Sequence, residues 1–121
     1  MKFPISLVRF LEDTTPRGFE SKSVGTLVYK GGKNFDIESE NEEVRSLLQK
    51  SIAEITAHET VGLRGGYRDE GGEGESKVVR YVSTMLQLTP DDPKYPVAVV
   101  EKLMMVKLEY GEYNIIVGQG K

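Results

Sequence analysis

The apolar positions of the chain change their period from one stretch to the next. In residues 3–11, "FPISLVRFL", Ile5 and Leu7 alternate with polar neighbours, while Val8 and Phe10 fall on the other side. A period of two places alternate residues on one face of a strand, so this stretch predicts a first strand. Residues 23–39, "SVGTLVYKGGKNFDIES", predict a second strand, a turn at Gly31-Gly32 and a short third strand through Phe35 and Ile37. The polar segment between them, residues 12–22, carries Pro16 and Gly18 and predicts a loop.

The period then lengthens. Val44, Leu47, Leu48, Ile52 and Ile55 recur at intervals of three and four, the apolar stripe of an amphipathic helix. Ser39 followed by Glu42 has capping-box spacing, and Glu40, Glu42 and Glu43 put negative charge at the positive end of the helix dipole. The helix is expected over residues 40–57. Residues 76–88 are rich in β-branched side chains and read as a strand, although Val78, Val82, Met85 and Leu86 would also make a helical stripe. "TPDDPKYP" breaks the pattern with prolines at 90, 93 and 96, a spacing that suits an extended rigid connection. Residues 97–118 read as a hairpin. Val106, Leu108 and Tyr110 alternate into a turn at Gly111-Glu112, and Tyr113, Ile115 and Val117 alternate back. Val97 to Leu103 could instead form a short helix. The order ββ(β)αβββ places the chain in the α+β class, one domain over residues 1–121, with an antiparallel sheet and one principal helix.

Composition narrows the chemistry. A chain of 121 residues with 38% apolar and 29% charged residues suits one soluble globular domain. No apolar run approaches the roughly 20 residues that span a bilayer, and the N-terminal stretch reads as a strand and not as a signal peptide. Cysteine is absent, which excludes disulfides, thiolate metal sites and a cysteine nucleophile and fits a cytoplasmic setting. The net charge is −3 and both halves of the chain are mildly acidic, so no electrostatic footprint for long duplex nucleic acid is present.

Local motifs yield few sites. "GLRGGYRDEGGEGES", residues 62–76, reads as a mobile glycine-rich hairpin loop, because glycine is entropically costly to order. Its "RGG" occurs once and is followed by four carboxylates, unlike the basic repeats that grip single-stranded RNA. The oxygens of "DEGGEGE" do not have calcium-loop spacing. "YKGGK" at 29–33 lacks phosphate-loop spacing and reads as a turn. His58 is the only histidine. It falls near the helix C-terminus, four residues after Glu54, where an ion pair or an interaction with the dipole explains it. An acid–base role would need a partner such as Glu59, Ser51 or Ser83.

Tyr110 and Tyr113 flank the last turn as an expected cross-strand pair, and Met105 and Lys107 fall opposite Met104, Val106 and Leu108 if the segment is a strand. A sheet apolar on both faces needs two covers, and only one helix is evident. The expectation is therefore a non-catalytic interaction module, self-associating through its sheet and most simply a dimer, with Arg64, Tyr67, Arg68, Tyr110 and Tyr113 as candidate partner-binding residues. A further protein partner is compatible with this reading. Two alternatives stand beside it: a nucleic-acid-associated protein using Arg64, Arg68 and Arg80, and a small enzyme with its site near His58. No cofactor, metal or membrane association is expected.

Overall fold

In the computed structural model, residues 1–11, 18–71 and 78–118 are described, with 65–71 and 78–84 at the level of the backbone. Strands β1 (Lys2–Leu11), β2 (Gly18–Gly31) and β3 (Asn34–Glu38) lead into helix α1 (Glu42–Thr56). Strands β4 (Val61–Gly71) and β5 (Val78–Leu88) follow, then helix α2 (Tyr95–Met105) and strands β6 (Glu109–Tyr110) and β7 (Tyr113–Val117). The fold is α+β. Five strands form an antiparallel sheet in the order β3-β2-β1-β7-β6, and β4 and β5 pair as a separate two-stranded ribbon.

Alternation along β1 sets the layers. Phe3, Ile5 and Leu7 are buried on one face, beside Leu27 of β2, Ile37 of β3 and Ile115 and Val117 of β7. Val44, Leu48 and Ile52 of α1 and Val100 and Leu103 of α2 cover that face. The stripe read from the sequence is the buried face of α1, but its start differs. Asn41 is the cap, its side-chain oxygen accepting from the Val44 amide at 3.1 Å. Ser39 instead donates to the carbonyl of Val24 at 2.7 Å and accepts from the Asn41 amide at 3.2 Å, tying the helix entry to β2. There β2 and the chain leaving β3 approach so closely that a side chain at Gly25 would strike the backbone of Glu38. The turn after β2 carries Gly31 and Gly32 at φ 99° and 58°, as its sequence predicts.

Several readings differ from the structure. First, β2 begins at Gly18, so Phe19–Lys22 are strand and not loop, paired with Leu7–Phe10 of β1. Their polar character follows from exposure: Phe19, Ser21 and Lys22 are exposed, and Glu20 pairs there with Arg9 at 2.6 Å. Second, the segment 62–76 is strand through Gly71, in unbroken register with the β-branched β5. Residues 72–76 lie outside the described residues. Third, the segment from 97 onward is a hairpin only over β6 and β7, and the helical alternative is the one that forms. Pro96 occupies the first turn, where its missing N–H removes no bond. Valines at 97, 99 and 100 imitate a strand because the outward positions of this helix are themselves largely apolar: Val97 is half-buried, and Met104 and Met105 are exposed. "TPDDPKYP" is not an extended connection but a pair of turns into α2: Thr89 accepts from the Asp92 amide, and Asp92 accepts from that of Tyr95, each at 3.0 Å.

The fourth correction follows from the third. Met104, Met105 and Val106 belong to the end of α2 and its cap, not to a strand with two apolar faces. The sheet thus has two helical covers, both on one face. Imbalance between strands and helices is no longer an argument for a second subunit.

α2 joins two clusters. Val100 and Leu103 enter the main core, while Tyr95, Ala98 and Val99 pack with Val61 and Leu88 at the root of the ribbon. Among the described residues, no helix is long and apolar enough to cross a membrane.

Candidate functional site

Two surfaces stand out. The first is the uncovered sheet face. Pleating puts Ser6, Val8 and Phe10 of β1 opposite the buried face, and the register sets Ser23, Ser21 and Phe19 of β2 beside them. Ile116 and Asn114 of β7 flank Ser6 and Val8 on the other side. The centre of this patch carries no charge, although Glu109 stands beside Asn114 and Glu38 beside Thr26 at its borders. Phe10 and Phe19, directly paired, are 62% and 65% exposed. Neither phenylalanine stands among the residues the sequence singled out for partner binding. Phe10 alternates legibly, but Phe19 looked like loop until its register was known.

The second surface is a cleft of about 420 Å³ where the end of α1, the ribbon root and α2 meet. Ile55, Val61 and Met85 supply apolar wall, and Glu54, His58, Thr60, Gln87 and Lys102 supply polar groups. Gly62 lies under Met85: a Cβ there would come within 2.8 Å of the Met85 Sδ. The Thr60 hydroxyl donates to Gln87 Oε1 at 3.0 Å, bridging the first residues of the ribbon. Above the cleft, Glu101 of α2 accepts from the Arg64 amide at 3.2 Å and fastens the ribbon to the helix.

The sequence-derived candidates are dispersed. Arg64 is exposed on β4; Tyr67 and Arg68 follow it, with backbones paired to Val82 and Tyr81. The backbone of Arg80 is opposite that of Asp69 in the same ladder. Tyr110 and Tyr113 are indeed opposite each other, but in the five-stranded sheet, where both pack partly against the main core. Tyr113 is further engaged. Its ring lies 4.8 Å from Lys22 Nζ and 5.3 Å from the Arg9 guanidinium carbon, and its hydroxyl donates to Glu20 at 3.4 Å. Arg9 also bonds Glu112 at 3.0 Å, clamping the last turn to β1 and β2. The two carboxylates, Glu112 first, push the Arg9 guanidinium further above its ordinary value.

His58 lines the cleft beside Glu54, its expected ion-pair partner, and none of the named acid–base partners joins it there. Ser51 is buried on α1, Glu59 is exposed outside the cleft, and the backbone of Ser83 pairs with Gly66 in the ribbon. No ion pair joins Glu54 to His58 among the described residues; the His58 carbonyl accepts from Lys33 at 3.3 Å. Within the same residues, no group of three histidine or carboxylate side chains is close enough to hold a metal ion. Comparison with known protein families, characterised proteins and solved structures finds no match to this chain.

Proposed function

We propose that this chain is a small non-catalytic interaction module that associates with a second copy of itself, face to face, through the uncovered side of its sheet. The observation that carries the reading is the exposed Phe10–Phe19 pair on a patch whose centre is uncharged. Fully burying a phenylalanine is favourable by roughly 1.5–3 kcal/mol. A two-fold arrangement places the same patch on both sides of the contact, so four rings leave water together. The middle of the patch, formed by serines, Asn114 and Val8, contains no charge that would have to be desolvated unpaired. The cysteine-free composition suits a cytoplasmic role for such a module.

Sedimentation of the full chain over a range of concentrations tests this. The expected outcome is a reversible dimer that a Phe10→Ser/Phe19→Ser double variant converts to a monomer with an unchanged circular dichroism spectrum. A wild-type chain that stays monomeric at every concentration, or a double variant that still dimerises, overturns the reading.

A further inference from the structure

We propose that the cleft at the root of the ribbon is a binding site for a small monocarboxylate with an apolar body, its carboxylate held by Lys102 and its body laid against Ile55, Val61 and Met85. The inference is independent of self-association, because the cleft and the phenylalanine patch share no residue.

Three features carry it. The first is size and shape: about 420 Å³ is within the range of small-ligand pockets, where mostly apolar walls meet a few polar groups. The second is Gly62. Its missing side chain is the space that Met85 leans into, since a Cβ would stand 2.8 Å from the sulfur and 3.3 Å from Cγ. The wall opposite the helices is therefore a flexible, polarisable thioether that can conform to an aliphatic or aromatic body. The third is charge. Lys102 is only partly exposed, lines the cleft, and has no carboxylate within ion-pair distance among the described residues. The Thr60 hydroxyl engages Gln87 Oε1, which leaves the amide N–H groups of Gln87 as further donors for an anion. Among the described residues Glu54 is the one carboxylate in the wall, so the anion is held by direct contact with Lys102 and is limited in charge by Glu54. One cation facing one carboxylate can pair a singly charged ligand and disfavours a phosphate, whose second charge Glu54 would repel.

The chain has four methionines, and Met85 alone lines the cleft. Labelling the methionine methyls with carbon-13 therefore gives a direct reporter. The full chain is titrated separately with octanoate, octanol and octylamine. The expected result is a saturable shift of the Met85 methyl, with Met104 and Met105 unmoved, and octanoate binding about tenfold tighter than octanol. Lys102→Gln, which removes the charge and keeps a polar side chain, should erase that preference, and Lys102→Glu should transfer it to octylamine. The Phe10→Ser/Phe19→Ser variant should bind octanoate as the wild type does. An unmoved Met85 methyl, equal shifts at all methionines, an octanoate preference that survives Lys102→Gln, or loss of binding in the phenylalanine variant would each overturn the proposal.

Discussion

The five-stranded sheet and the β4–β5 ribbon are both antiparallel, yet they are stabilised in different ways. In the sheet, apolar residues of four strands are buried beneath two helices, and the ladder and the core reinforce each other. In the ribbon, packing is concentrated at one end: Val61 and Leu88 are buried against Tyr95, Ala98 and Val99, and Leu63 is half-buried beside them. A little further out, Met85 and Leu86 are already 49% and 48% exposed. An isolated two-stranded hairpin is marginal in water. The contrast teaches that a full register of hydrogen bonds does not imply a full share of stability, and that α2, which touches both clusters, is the element through which the ribbon is supported.

The largest test of this contrast is a pair of core truncations. Leu48→Ala, beneath the sheet, should lower stability by about 3 kcal/mol in urea melts. Leu88→Ala, at the ribbon root, should lower it by about 2 kcal/mol, and amide exchange should quicken in β4 while β1 and β7 keep their protection. Uniform acceleration across both sheets would show instead that ribbon and sheet open as one unit. A smaller effect is expected from Asn41→Ala, which removes the α1 cap and should cost about 1 kcal/mol without altering exchange in the ribbon.

The smallest effect concerns the joint between the clusters. The Tyr95 hydroxyl is fully buried and has no hydrogen-bond partner among the described residues. Tyr95→Phe should therefore raise stability, by no more than about 1 kcal/mol. Burial, and to a lesser extent Tyr29, raises the Tyr95 phenol above its ordinary value. The folded chain thus holds that proton more tightly than the unfolded chain does. The corresponding stability is complete below about pH 10 and is lost as pH climbs through the raised folded value. The phenylalanine variant should lack this alkaline loss, and urea melts at about pH 8 and about pH 11 check it. A destabilised variant would mean that the hydroxyl has a partner after all.

What the sequence disclosed follows from how local each determinant is. α1 was legible because one face of it is buried, so its period survives in Val44, Leu48 and Ile52. The last hairpin was legible because Gly111 takes a φ of 61° at a two-residue turn between alternating strands. α2 was ambiguous because Val97, Met104 and Met105 occupy the outward positions where a polar face would reveal a helix. Phe19–Lys22 were missed because their strand character comes from pairing with β1, not from their own composition. Of the cleft, only His58 and Glu54 attracted attention. Lys102, Gln87 and Met85 lie on other elements, and nothing in their spacing announces that they converge. The exposed aromatic pair was half visible: Phe10 alternates plainly, but its partner depended on a register that no short window contains.

The ribbon has one more implication, and it concerns leverage. From the Val61–Leu88 pair to the Gly71–Val78 pair there are ten steps of backbone, a reach of about 34 Å. For a beam of that reach, tilting the anchored end by about 10° carries the distal end through about 6 Å. Fractions of an ångström among Thr60, Gln87 and Val61 are therefore magnified many times over at the far tip.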